Sequence, residues 1–247
     1  MKQLIAFACL GAVLCNTAYA GPADYVYTPQ VEQGEREIDF KFGSAARPGG
    51  RDEAASIGFG YGATERWFTE AYLKYESAAG GGTRLAAAEW ENKFQLTETG
   101  QYPVDVGLIT ELEAPTNHGD PYEFRFGPLF QTEFGRLQLN GNLLFEQKYL
   151  GDGEEGGESY DTEIGYQWQG KYRWRPALEF GLQGFGEMGQ WNHWDNRERQ
   201  NHRLGPAVFG RIALGRHQAV EYNAAWLFGA SQAAAGHTFR MQAEYEF

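Results

Sequence analysis

The feature that most limits what this chain can become is a two-residue alternation of apolar and polar side chains, sustained over segment after segment from residue 35 onward. Successive side chains of a strand point to opposite faces, so each such segment makes a surface with two unlike sides. The stretch 121–133 is the clearest: Tyr122, Phe124, Phe126, Pro128 and Phe130 share one face, and Glu123, Arg125, Gly127, Gln131 and Glu133 the other. Earlier, Trp67, Thr69, Ala71, Leu73 and Tyr75 oppose Arg66, Glu70, Tyr72, Lys74 and Glu76. Val104, Val106, Leu108 and Leu112 likewise oppose Asp105, Glu111 and Glu113, while Tyr160, Ile164, Tyr166 and Trp168 oppose Asp161, Glu163 and Gln167. Twelve segments of this kind are predicted, at 35–43, 53–62, 66–76, 84–96, 103–113, 121–133, 137–149, 160–170, 177–188, 202–214, 218–228 and 237–247. Their even spacing is that of a meander.

Alternation alone fits two architectures. In a soluble sandwich the apolar faces pack on a dry core; in a bilayer barrel they face lipid, and the polar faces line an interior. The two ends of the chain favour the barrel. Lys2 is followed by an apolar run from Leu4 to Leu14 and by Ala18-Tyr19-Ala20 ahead of Gly21, the pattern of a cleaved secretory leader over residues 1–20. The run is too short to cross roughly 30 Å of hydrocarbon, and no later segment is long enough. That leader contains both cysteines, Cys9 and Cys15, so the exported chain is expected to carry neither disulfide nor thiolate metal ligand. Without Lys2, 20 basic residues face 33 acidic ones, a net −13 that repels nucleic acid.

In the last segment His237, Phe239, Met241, Ala243, Tyr245 and Phe247 alternate with Thr238, Arg240, Gln242, Glu244 and Glu246. A strand of this pattern closing on phenylalanine resembles the C-terminal signature of Gram-negative outer-membrane β-barrel proteins. The resemblance covers residues 35–247 in pattern, without a motif that singles out one family among selective channels, a phospholipase, a lipid A deacylase and autotransporter translocators. With 14 residues between the leader and the first strand, an autotransporter is not expected. The resemblance implies an all-β fold: a single transmembrane antiparallel up-and-down β-barrel of about twelve strands, monomeric, in the outer membrane of a Gram-negative bacterium. Outer-membrane lipid and lipopolysaccharide are then its surroundings, and Tyr245 and Phe247 an insertion signal for the barrel-assembly machinery. An even strand number with alternating connection lengths agrees with this. Connections after even strands are expected at 63–65, 97–102, 134–136, 171–176 and 215–217, mostly short; those after odd strands, at 44–52, 77–83, 114–120, 150–159, 189–201 and 229–236, are longer and polar and are expected to face outward. Residues 21–34 form a polar lead-in expected in the periplasm, or else crossing the lumen.

Function is expected on the inward stripe. Its acidic candidates are Glu70, Glu89, Glu91, Glu111, Glu123, Glu146, Glu163, Glu179 and Glu187, with Glu37, Asp39 and Glu133 beside them. Its basic candidates are Arg66, Lys74, Lys93, Arg125, Lys148, Arg203, Arg211 and Arg240. The acidic excess favours cations. Arg203, Arg211 and Arg240 could form one side of an anion track, but a role as counter-charge to Glu221, Glu244 and Glu246 is favoured because unpaired buried charge is costly. Eight-stranded barrels are filled by their own side chains and sixteen-stranded ones hold a water channel, so twelve strands lie between. The leading expectation is a narrow passive channel for small polar solutes; the alternative is a barrel closed by its own charges that acts through its surface loops.

Catalytic material is thin. His118 and His193 fall in expected outer loops, His217 in a turn, His202 and His237 near strand starts, and none of Ser44, Ser56, Ser77, Ser159 and Ser231 sits in a G-x-S-x-G context. No enzyme, cofactor or bound metal is expected, and a membrane lipid hydrolase is the weakest alternative. Two loops carry further chemistry. Asp152 to Glu158 is acidic but lacks EF-hand spacing, and reads better as a solvated tip than as a Ca²⁺ site. The stretch Gln190 to Gln200 carries Trp191 and Trp194, which suit either an interfacial belt or a loop folded into the pore.

Overall fold

A chain that crosses hydrocarbon as strands finds no water for its backbone N–H and C=O groups, so every edge must be paired. A computed structural model of the protein describes residues 21–77, 81–149, 161–216 and 218–247. Its strands are β1 (Arg36–Arg47), β2 (Gly50–Thr64), β3 (Trp67–Ser77), β4 (Arg84–Gln95), β5 (Asp105–Pro115), β6 (Tyr122–Phe134), β7 (Leu137–Tyr149), β8 (Glu163–Arg175), β9 (Leu178–Gln190), β10 (His193–Trp194), β11 (Asn201–Ala213), β12 (Ala219–Gly229) and β13 (His237–Glu246). The two-residue β10 folds back on β9, and the other twelve form the barrel, each antiparallel to the next. Closure comes from β13 returning to β1, with Glu246 opposite Glu37 and Glu244 opposite Asp39. Beyond the last paired residues, the Phe247 N–H donates to the Arg36 carbonyl at 2.9 Å, and the Tyr245 and Phe247 rings stack at 5.6 Å. The terminal strand is therefore the seam, and no barrel strand is left with an open edge.

The outward face is apolar. Ile38, Phe40, Ile57, Phe59, Leu73, Trp90 and Leu112 are all exposed, forming a belt suited to acyl chains. Trp67, Phe134, Trp174 and Tyr245 lie near the end where the chain enters β1, and Tyr122 pairs with Tyr149 at the other, so aromatics flank the belt on both sides.

What fills the interior differs from a simple charged lining. The lead-in 21–34 lies in the lumen and does not hang in the periplasm. It starts against β1 near the loop end and runs to Gly34, whose N–H donates to the Gly62 carbonyl at 2.8 Å near the opposite end. Its alternating side chains reach opposite walls. Val26 packs with Phe185, Ala207, Phe209, Ala225 and Leu227, while Tyr27 packs with Ile109, Leu129 and Leu144. Apolar residues at these inward positions have no lipid to face, and the lead-in is what buries them. Its backbone is satisfied by luminal amides: Asn142 Nδ2 donates to the Tyr27 carbonyl at 3.0 Å, and the Val31 N–H donates to Gln95 Oε1 at 2.8 Å. Glycine on the wall makes the close approach possible. A Cβ on Gly43 would sit 2.0 Å from the Pro22 carbonyl oxygen, and one on Gly62 would sit 1.9 Å from that of Glu32.

Two connections are shorter than the sequence implied. β1 and β2 meet through Pro48-Gly49, with Gly49 at φ 94° and Arg47 paired to Asp52 at 2.7 Å, so 44–52 is a tight hairpin. The polar residues there read as loop because strands projecting beyond the bilayer no longer need an apolar face. Likewise β8 continues through Lys171, Tyr172, Arg173 and Trp174, leaving Pro176-Ala177 as the turn to β9. The expected loop 150–159 lies outside the described residues.

Replacing Gly62 with valine puts a branched side chain where the Glu32 carbonyl lies, without changing the pairing of β2. The expected result is a barrel that still resists SDS at room temperature, while limited proteolysis now cuts between residues 21 and 34; a lead-in as protected as in the parent protein contradicts the packing described.

Candidate functional site

The lumen divides into an outer chamber, a waist and a periplasmic chamber. In the outer part, inward residues of β3 to β7 form a ladder of charge. Lys74 pairs with Glu89 at 3.0 Å and with Glu113. Arg125 lies between Glu111 at 3.0 Å and Glu146 at 2.8 Å, and Lys148 between Glu123 at 3.3 Å and Glu146 at 3.6 Å. These pairs run along the wall, within a strand or between strands that are adjacent or one apart, and they do not reach across the lumen. The space they leave is about 260 Å³, with Gly21, Asp24 and Tyr25 of the lead-in along one side.

The waist is mostly uncharged. Asn140 Nδ2 donates to Gln131 Oε1 at 2.9 Å, Gln169 Nε2 to Asn140 Oδ1 at 3.1 Å, and Gln183 Nε2 to Gln169 Oε1 at 3.0 Å. Arg240 on β13 ends the chain, its Nη1 donating to Gln183 Oε1 at 2.7 Å. Neutral amides can be buried with satisfied partners at a lower desolvation cost than ions, which fits them to this buried stretch of wall. Sequence reasoning passed over this shelf. The available signal was the recurrence of Gln and Asn at alternate inward positions: Gln131 on β6, Gln138, Asn140 and Asn142 on β7, Gln167 and Gln169 on β8, Gln183 on β9.

Below the waist lies the largest cavity, about 570 Å³, lined by acids of β1, β3, β4, β9, β12 and β13 and by Lys93, Lys171, Arg173 and Arg211. Lys171 pairs with Glu179 at 3.3 Å, and Arg211 pairs with both Glu221 and Glu246. Glu35, just ahead of β1 at the mouth, has its carboxyl pushed from the ordinary 4.5 up to about 7, chiefly by burial, with Lys93 opposing and Glu246 adding to the rise.

Most expected lining residues face inward in these layers, but Arg66 does not. It occupies the turn between β2 and β3, exposed, and reaches Glu98 in the next turn at 3.4 Å. The alternation runs one residue ahead of the start of β3, so a turn arginine shares the parity of the strand. Glu163 and Glu187 line a small recess of about 80 Å³ at the outer mouth, together with Asp195 and Arg199 from the connection after β9. That connection therefore does reach the pore, while its Trp191 and Trp194 remain exposed. Arg203 lies over the Phe185 ring at 5.7 Å, and Arg211 pairs with Glu221 and Glu246. His202 faces outward, its Nδ1 2.9 Å from the Tyr166 hydroxyl. Among the described residues no three acidic or imidazole side chains converge on a point that could hold a metal ion.

No protein-family model matches the sequence, and no curated protein matches it. Solved structures do match in fold. The COG4313 outer membrane channel from Pseudomonas putida F1 aligns with a TM-score of 0.58 at 14% identity, over 92% of this chain and 99% of that one. The NanC porin aligns with a TM-score of 0.54 at 9% identity, over 85% of this chain and 98% of that one. At such identities the likeness is one of fold, that of transmembrane outer-membrane channels and porins.

Two outcomes follow from the electrostatics. Arg125→Met leaves Glu111 and Glu146 without their shared partner and should lower unfolding stability by about 3 kcal/mol, the scale of a broken buried pair; adding Glu111→Gln should recover part of the loss in urea titrations. For Glu35, the folded state holds a proton between 4.5 and about 7 that the unfolded chain has lost, so stability falls as pH rises through that window and is level above it. Glu35→Gln should remove this fall, which urea midpoints measured below and above the window will show.

Proposed function

We propose that the protein is a narrow passive channel of the bacterial outer membrane for small hydrophilic solutes, working without catalysis, cofactor or energy input, and that residues 21–34 set its width. The observation that carries this reading is the pair of polar cavities, about 260 and 570 Å³, left on either side of the waist. A barrel meant only as a rigid post would fill that space with side chains, as eight-stranded barrels do. The likeness to channels and porins supports the same reading and the outer-membrane location, as does the leader pattern at 1–20. In this reading lipopolysaccharide surrounds the outer half, and the assembly machinery reads the β13 strand through Tyr245 and Phe247. Diffusing solutes exchange water for the carboxylates and amides of the wall, and the acidic excess favours cations.

A closed barrel acting through its loops is the second reading, favoured by the waist itself, where Ile109 and Leu129 are 0% exposed against Tyr27. Conductance in planar bilayers separates the two. The channel should show a small steady conductance that rises several-fold when residues 22–31 are deleted, and that becomes less cation-selective in Glu123→Gln. A barrel silent in both the full and the deleted form refutes the channel.

A further inference from the structure

The periplasmic chamber has a charge arrangement that its own residues leave incomplete. Glu37 on β1, Glu70 on β3 and Glu91 on β4 share one register row, joined through Gly60 of β2, and Asp39 and Glu244 face each other across the seam one step away. Near these five carboxylates stand three cationic side chains: Lys93 in the same chamber, Lys41 reaching Asp39 at 3.2 Å from the side of the outer cavity, and Arg240 close by. Lys171, Arg173 and Arg211 line the chamber too, with Lys171 and Arg211 already paired to Glu179, Glu221 and Glu246. Glu70 is 3% exposed, yet its Oε1 has no hydrogen-bond partner, and Asp39, at 1% exposed, leaves Oδ1 in the same state. Both residues line the chamber. Carboxylate oxygens held out of bulk water without a donor call for a cationic one.

The wall also shows what kind of cation it accepts. The Lys41 ammonium lies 3.5 Å from the centre of the Tyr25 ring and 3.7 Å from that of Tyr72, with Asp39 Oδ2 at 3.2 Å. That is an aromatic and carboxylate cage occupied by an alkylammonium of the protein itself. Lys93 repeats the arrangement more loosely, 4.9 Å over Phe68. Phe68 and Tyr72 can lie flat along the wall because β2 has glycine beneath them: a Cβ at Gly58 or Gly60 would come within 2.4 Å of these rings. The cavity of about 570 Å³ is the size of a small-molecule site and much larger than a bare ion needs.

We propose that this chamber binds a small organic cation, a primary diamine or similar alkylammonium compound, with Glu70 and Glu244 as its principal counter-charges. The inference rests on the reading that solutes reach the lumen, and names the class of solute retained there.

The test is titration calorimetry on the full-length barrel in detergent, with diaminobutane as the probe. Binding with a Kd below about 1 mM is expected, with no heat from butanediol, which has the same length without charge. Glu70→Gln and Glu244→Gln should each weaken binding by about tenfold or more, and Glu98→Gln, in an exposed turn, should not. Each variant is first checked for SDS-resistant migration. Because the two carboxylates lie on different strands, a folding failure in one leaves the other to decide. Absence of diaminobutane binding, or binding unaffected by both variants, overturns the proposal, as does calcium chloride binding where diaminobutane does not. Conductance is measured separately: binding without conductance removes the channel and keeps the site, and conductance without binding does the reverse.

Discussion

The pairing of β13 with β1 fixes the rest of this structure. Main-chain groups in a bilayer have no other partner, so the seam must close in register, and once Glu246 stands opposite Glu37 the parity of every strand is set. Closure in that register has an electrostatic consequence. Like charges directly opposite are unfavourable in a sheet, yet Glu37 faces Glu246 and Asp39 faces Glu244. The barrel tolerates this beside the cavity of about 570 Å³, with Arg211 answering Glu246 and Lys41 answering Asp39. A constraint from the backbone thereby places an acidic arc around the periplasmic chamber.

Ion pairs and apolar contacts divide the interior between them. The pairs of the outer chamber, such as Lys148 with Glu123 and Arg125 with Glu111, run along the wall and hold strands to their neighbours. Apolar contact across the lumen comes from the lead-in, through Val26 on one side and Tyr27 on the other. Buried ion pairs contribute little net stability because desolvation offsets attraction. The apolar contacts at the waist carry no such penalty, and they lie where water is scarcest.

How much of this was legible in the sequence depended on range. Strand positions and the inward or outward sense of residues such as Phe124 and Arg125 followed from period-two alternation, a local property. The β1–β2 hairpin was misjudged because Arg51 and Asp52 are polar on both faces beyond the bilayer, so alternation stops before the strand does. Arg66 was drawn into the lumen by the same extrapolation of parity. The course of the lead-in had a signal that went unused: Ile109, Leu129, Leu144, Phe185, Phe209 and Leu227 all interrupt the polar stripe, and apolar residues on an inward face require something inside to cover them. Arg211 does answer Glu221 and Glu246, as the sequence suggested, whereas the pairs of the outer chamber depend on stagger between strands that the chain states nowhere locally.

The lead-in and the wall also differ in how firmly they are held. Opening the wall breaks a continuous ladder in a medium that offers no substitute partner. Releasing the waist exposes Val26 and Tyr27 together with the wall residues they cover, such as Phe185, Ile109 and Leu129, at about 1.5–3 kcal/mol for each side chain fully uncovered. It also breaks a few polar contacts such as Tyr25 to Glu91 and Val31 to Gln95, about 1 kcal/mol each, whose groups regain water in the lumen. Displacement of the lead-in thus costs the burial of both sides of the waist, but it leaves the hydrogen-bonded ladder of the wall intact. In the proposed channel the width available to a solute is set by the lead-in, while the charges along its path belong to the hydrogen-bonded wall.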